Sequence, residues 1–244
     1  MSSMLAIFRR ELAGYFATPI AYVFLIIFAM LSGLFTFYVG NLYERGIADL
    51  QPFFIYVPWL FLVLVPAIAM RLWSEERRTG TIELLLTLPA PAWAAVVGKW
   101  LAGVVFVAVA LVCTMPLWIT VNYLGEPDNG VIAVSYLGAL ALAGVYLAIG
   151  GCMSALTSNQ VIAFVLGVAA CFVFVTAGTP IVLDGLREVA PEPVVEAMAS
   201  LSAITHYDGL QRGLIDLPAV VWAVSMTAFW LFATGVTVGL KKGA

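Results

Sequence analysis

Charge is what this sequence has least of. Asp, Glu, Lys and Arg make up 10% of its 244 residues and hydrophobic residues 63%, whereas a soluble domain carries about a quarter charged residues. That composition excludes an ordinary water-soluble domain. Cysteine is nearly as scarce: Cys113, Cys152 and Cys171 fall in apolar runs without CxxC spacing, which reads as small packing residues rather than a disulfide framework or zinc site. The sequence has one histidine, His206. No second ligand stands at regular spacing from it, so it is expected to make an interfacial or hydrogen-bonding contact, and no metal site is assigned. A phosphate-binding loop is missing too: in "VVGKW", Gly98-Lys99 is followed by Trp100, where such a loop needs a magnesium-binding hydroxyl. The chain is therefore not expected to hydrolyse ATP itself, to bind a cofactor directly or to bind nucleic acid. Internal repeats and low-complexity segments are also lacking.

What is present is apolar length. Six runs are each long enough to cross a hydrocarbon core of about 30 Å as a helix: Pro19 to Gly40, Phe53 to Leu72, Gly98 to Val121, Val131 to Ala155, Val161 to Pro180 and Ala219 to Leu240. Their interiors hold no Asp, Glu, Lys, Arg or His, with Arg71 and Lys99 at span ends. Period-2 alternation is absent, which argues against a transmembrane β-barrel. If the N-terminus is cytoplasmic, Arg9, Arg10, Arg71, Arg77, Arg78, Lys99, Lys241 and Lys242 lie inside, eight of the eleven basic residues, with Arg45, Arg187 and Arg212 outside. This is the asymmetry of the positive-inside rule. Ten of the fourteen acids then fall in exterior loops, which accounts for the formal charge of −3.

The expected fold class is an all-α integral membrane protein of a single domain, residues 1–244, with both termini cytoplasmic. Residues 1–18, "MSSMLAIFRRELAGYFAT", place Leu5, Phe8, Leu12 and Tyr15 at helical spacing around Arg9 and Arg10, which predicts an amphipathic interfacial helix rather than a cleaved signal. The exterior loop, 181–218, predicts two short amphipathic helices. The first has Val194, Val195, Met198 and Leu201 opposite Glu192 and Glu196; the second aligns Tyr207, Leu210 and Leu214, with Gly213 near its end. They read either as a lid over span ends or as an exit gate. Gly33 and Gly40 in span one, and Gly167 and Gly178 in span five, offer faces where a second copy could approach closely.

The cytoplasmic loop, 73–97, carries the informative charge. From Arg71 to Trp100 there are seven charged residues. Arg71, Trp73, Arg77 and Arg78 suit headgroup anchoring. Thr79-Gly80 can break the helix, and "TIELLLTLP" then restarts one with Thr81 able to cap and Glu83 in its first turn. Leu84, Leu85, Leu86 and Leu88 cover several faces of so short a helix, so either this protein's own span bases or a cytoplasmic partner must cover them.

The stretch "SEERRTGTIELLLTLPAPAWAAVVGKWLAG", together with "LSAITHYDGLQRGLID" and the N-terminal "FRRELAGYFATPIAYVF", resembles permease subunits of type-2 ABC transporters, in the branch that includes the gliding-motility and nitrous-oxide-reductase maturation permeases. The resemblance implies a six-helix permease of the bacterial inner membrane, paired with a second copy or a related permease. It implies two cytoplasmic ABC ATPase subunits that hold ATP and magnesium, an accessory protein in the periplasm, and export. Under this resemblance Ser74 to Pro89 contains the coupling helix, and Glu75, Glu76, Arg77, Arg78, Thr79, Gly80, Thr81 and Glu83 become ATPase-coupling residues. The N-terminal helix, Leu5 to Phe16, would also lie against the ATPase.

An external engine agrees with the spans themselves, because a secondary transporter keeps ionisable residues within them to bind coupling ions or relay protons. An intramembrane enzyme would need a nucleophile with a base, or paired carboxylates, and the loops offer only Glu75-Glu76 and scattered exterior acids. A passive channel or assembly scaffold is the alternative reading. The cargo is not legible; an uncharged passage suits a lipid-like, peptidic or otherwise amphiphilic one. Thr36, Tyr38, Asn122, Tyr146, Ser154, Thr157, Thr176 and Thr179 are candidates to line it, although Ser and Thr also hydrogen-bond to their own helices.

Overall fold

The computed structural model describes residues 2–82, 91–188 and 190–240. Among these the regular structure is entirely helical, without strands. Helix α1 (Ser2–Phe16) precedes α2 (Pro19–Leu34), which runs on into a π-helical end at Phe35–Val39. Helices α3 (Gln51–Ala69) and α4 (Arg71–Thr79) form one long unit, as do α5 (Ala92–Val112) and α6 (Met115–Leu124). Then come α7 (Asn129–Leu156), α8 (Gln160–Thr176), the short α9 (Pro180–Arg187), α10 (Glu192–Leu201) and α11 (Ala203–Gln211), and finally α12 (Leu217–Leu240).

Among the described residues, five helical units are long and apolar enough to cross a membrane. Where the sequence predicts span five, α8 ends at Thr176 and α9 leaves at 72° to it, so a sixth span is reached only if that bent pair counts as one. The bend has a packing cause: at Gly178 a Cβ would lie 2.5 Å from the Ser202 Cβ of the α10–α11 junction, and Pro180 then restarts the helix. Two other expected spans are longer than predicted. Span two continues through Met70 into the charged α4, and span three begins at Ala92 and is interrupted at Cys113-Thr114 just before Pro116.

α7 is the hub. Asp128 caps its start by accepting from the amides of Gly130 at 2.9 Å and Val131 at 3.2 Å, and its small residues let neighbours close in. At Gly150 a Cβ would sit 2.6 Å from the Ala69 Cβ of α3. Helices α3, α5, α8, α11 and α12 all pack around α7, while α2 and α12 present apolar side chains outward, among them Ile26, Met30, Phe229 and Phe232. The outward apolar faces are what a lipid solvent requires.

Several expectations change here. Of the four glycines expected to open a face to a second copy, Gly40 meets Pro52, Gly167 meets Pro66 and Gly150, and Gly178 meets Ser202, while Gly33 faces open space. Close approach at the first three is thus spent within the chain. The exterior stripe is also re-phased: Val195 is buried, but Val194 and Leu201 are exposed. Helix α11 ends before Leu214, which is exposed; it packs against α7, α12, α3 and α8 and buries Tyr207. His206 stacks on Trp222 at 5.1 Å and lies 2.9 Å from the Ser200 carbonyl.

Candidate functional site

The site is the end of the bundle where α1, α4 and α5 meet. Helix α1 lies along the start of α5 in matching order. Ile7 sits over Gly98, where a Cβ would lie 3.4 Å from Ile7 Cγ2 and 3.2 Å from the Met4 carbonyl oxygen. Glu11 reaches Lys99, and Tyr15 stacks on Phe106 at 5.1 Å. Residues 7, 11 and 15 are one helical turn apart, so one face of α1 makes all three contacts. Helix α1 is thereby docked on α5, with Leu5 left exposed and Phe8 and Leu12 half-buried.

Lys99 is the centre of this junction. Its side chain is 2% exposed, and its Nζ lies 3.0 Å from Glu11 Oε1 and 3.1 Å from Glu76 Oε1. The Arg10 guanidinium reaches the same two oxygens at 2.9 Å and 3.2 Å. Two cations and two carboxylates alternate around a closed ring. Trp73 completes the enclosure, its ring centroid 5.3 Å from the ammonium. The hydrogen bond to Glu11, together with the nearby Glu76 charge, holds the Arg10 guanidinium above its ordinary range against the opposing effect of burial. A buried ammonium is sustainable only with such partners, so this ring fixes α1, α4 and α5 relative to one another.

Glu75, the neighbouring residue, faces the other way. It accepts from Arg71 Nε at 3.2 Å, Arg78 Nη2 at 3.0 Å and Gln160 Nε2 at 2.6 Å. Because consecutive helical residues diverge by about 100°, Glu75 ties α4 to α8 while Glu76 ties it to α1 and α5. Beneath both, Ser154 of α7 holds the α3–α4 junction. Its hydroxyl accepts from the Trp73 and Ser74 amides at 3.1 Å each and donates to the Met70 carbonyl at 2.7 Å. The Ser74 hydroxyl also bonds to that carbonyl.

The predicted coupling residues therefore divide. Glu75 and Glu76 turn inward as ties, and Arg77 is half-buried. Arg78, Thr79, Gly80 and Thr81 form the exposed tip. Thr79 Oγ1 donates to the Glu75 carbonyl at 2.9 Å and lies 2.9 Å from Thr81 Oγ1. Gly80 ends α4 in the left-handed region at φ 74°, as the Thr79-Gly80 break predicts. Glu83 and the leucines at 84, 85, 86 and 88 lie outside the described residues, as do Lys241 and Lys242. Trp73, expected as a headgroup anchor, is buried at 1% exposure because it covers Lys99.

Sequence reasoning placed Lys99 among the inner basic residues and missed its role. The available signal was one lysine flanked by Ala, Val, Gly and Trp rather than by polar neighbours. Of the candidates to line a passage, Ser154 holds backbone instead, and Thr36 and Thr176 donate to carbonyls one turn back in their own helices at 2.6 Å and 2.9 Å.

A family model described as ABC-2 family transporter protein matches residues 48–217, from the loop before α3 to the first residue of α12. No curated protein matches the chain. The match contains Glu75, Glu76 and Lys99 and the whole of α3 to α11, while α1 and α2 precede it.

Proposed function

The chain belongs to the ABC-2 family of transporter proteins, a multi-pass membrane family that supplies the permease component alongside an ABC ATPase, and from that premise we propose a six-span exporter permease of the bacterial inner membrane. In this reading α8 and α9 together form the fifth span, both termini are cytoplasmic, and the α1–α4–α5 junction faces the cytoplasm. The charge asymmetry supports that orientation. The permease works as a pair, with a second copy or a related permease, and two ATPase subunits supply the energy. A periplasmic accessory protein and an amphiphilic cargo complete the assembly, in the gliding-motility and nitrous-oxide-reductase maturation branch.

One observation carries the reading: α4 continues span two as a helix whose base is tied on both sides and whose tip is exposed. A push on Arg78, Thr79, Gly80 and Thr81 would travel through Glu76 to α1 and α5, and through Glu75 to α8, because each link is a short ion pair or hydrogen bond. The tip is the ATPase-docking surface in this scheme, with Glu83 assigned to docking from the sequence resemblance alone and Glu75, Glu76 and Arg77 transmitting the force. ATP and magnesium stay on the partner.

The test is copurification of the chain with its ATPase from native membranes. ATP turnover should be stimulated in the complex. Reversing charge and adding bulk at the tip, as in Arg78→Glu with Thr81→Glu, should weaken ATPase retention by about tenfold or more, the scale of one lost interfacial charge pair. Glu192→Ala in the exterior loop is the control. ATPase retention equal to the control would show that the tip does not dock.

A further inference from the structure

The exposed tip of α4 does not stand alone. Beside it the turn from α7 to α8 bounds a groove of about 430 Å³, lined by Arg78, Ser158, Asn159 and Gln160. The level of this groove follows from the chain. Arg71 stands just past the end of α3, and Arg78 lies seven residues farther along the same helical unit, about 10 Å at the rise of a helix. The headgroup layer is about 5–8 Å deep on each side of the hydrocarbon. In the orientation proposed above, on which this inference rests, the Arg78 end of the groove therefore stands in the cytoplasm, beyond the lipid phosphates.

The charges here do not cancel as they do in the Lys99 ring. Two guanidinium groups share the single carboxylate of Glu75, Arg71 Nε at 3.2 Å and Arg78 Nη2 at 3.0 Å, and the third partner is the neutral Gln160 amide at 2.6 Å. One positive charge is left over. It falls to the outer cation, because the Arg78 side chain is 64% exposed and that of Arg71 33%. The turn adds donors and no acid. The Asn159 side-chain oxygen accepts from the Val161 and Ile162 amides at 2.9 Å and 3.4 Å, which leaves its NH2 to donate. Ser158, exposed at the apex, adds a hydroxyl. A surplus guanidinium beside an amide NH2 and a hydroxyl, with the nearby carboxylate already shared three ways, complements an anion.

We propose that this groove is the second half of the ATPase-docking surface and receives an acidic side chain, Asp or Glu, of the ATPase between Arg78 and the Ser158–Asn159 turn. Opposite charges facing each other across an interface set its register and its choice of partner. The ATPase then grips two elements, the α4 tip and the α7–α8 turn, and its push reaches α7 and α8 directly as well as through Glu75.

The experiment uses the full chain copurified with its ATPase from native membranes, with substitutions at Ser158, outside the ties of the junction. Ser158→Asp puts a carboxylate in the groove, and Ser158→Asn puts a neutral side chain of the same size there. Both lie in an exposed turn and should keep the wild-type unfolding temperature. The Asp variant should retain about tenfold less ATPase than the Asn variant, the scale of one like-charge contact at an interface, and the Asn variant should stay within about twofold of the unaltered chain. Ser158→Lys places a primary amine at the same point. A zero-length carbodiimide should join that amine to a carboxylate of the ATPase, and sequencing of the crosslinked peptides by mass spectrometry should name an Asp or Glu. Equal retention by the Asp and Asn variants would overturn the proposal, since bulk rather than charge would then set any loss. So would loss of the ATPase from Ser158→Lys, or an ATPase that this variant retains without crosslinking to it. An unaltered chain that retains no ATPase overturns the docking reading and this inference with it. Loss of the ATPase on Arg78→Glu with Thr81→Glu, but not on Ser158→Asp, overturns this inference alone.

Discussion

Replacing Lys99 by Met keeps the length of the side chain and removes only its ammonium. Glu11 and Glu76 would then face each other without the buried cation between them. Breaking one partner of a buried ion pair costs about 3–5 kcal/mol, since the remaining charge is stranded. Here the carboxylates are partly relieved. Their side chains are 19% and 14% exposed, and Arg10 still lies 2.9 Å and 3.2 Å from the same oxygens. That exposed arginine recovers at most about 1 kcal/mol, leaving an expected loss of about 2–4 kcal/mol. Arg10→Met should cost no more than about 1 kcal/mol, so the order of the two variants is the sharper prediction. The loss should also be local at first, with α1 parting from α5. Spin labels at exposed Ala6 and Trp93 would show the distance broaden, and detergent thermal unfolding would give the stability. If Lys99→Met is no worse than Arg10→Met, or α1 stays in register, the ring does not hold the junction. Replacing all three buried members with Glu11→Leu, Glu76→Leu and Lys99→Met should recover most of the stability, as apolar replacements of buried ion pairs do, while stimulation of the ATPase stays low.

The other expectations concern the supports of the same junction. Ser154→Ala removes the acceptor of the Trp73 and Ser74 amides and leaves the Met70 carbonyl to the Ser74 hydroxyl, and should cost about 1–3 kcal/mol, read as a lowered unfolding temperature. Gly150→Ala places a Cβ 2.6 Å from Ala69 Cβ and should cost about 1–3 kcal/mol by overpacking α7 against α3; a neutral result would mean that the helices separate readily. Gly80→Ala puts a side chain at φ 74° and should cost about 1 kcal/mol, with weaker ATPase retention because the tip is redirected. Glu75→Ala should loosen α4 from α8, and Glu76→Ala should loosen it from α1; single variants, each measured for thermal stability and ATPase retention, separate scaffold damage from lost docking.

The sequence by itself determined the class of solvent, the number of apolar runs, the positions of most helix starts and stops, and the location of the charged junction. These follow from local rules. A run of apolar residues cannot be satisfied in water, Asp128 and Asn159 cap whatever helix follows them, and Gly80 ends α4 because it has no Cβ. Direction and partner were legible only as a resemblance. What tertiary structure decided was the use made of these residues. Glu75 and Glu76 read alike in the chain, yet one faces Gln160 of α8 and the other Lys99 of α5, a difference set by which helices happen to stand on each side of α4. Gly40, Gly167 and Gly178 offer close approach in any context, but which surface approaches is a property of the packed bundle. Lys99 is the clearest case. Its burial is tolerable only because Glu11, 88 positions earlier, and Glu76, 23 positions earlier, arrive at the same ammonium. No local pattern encodes that meeting, since the attraction that stabilises it exists only once three helices have already excluded water around it.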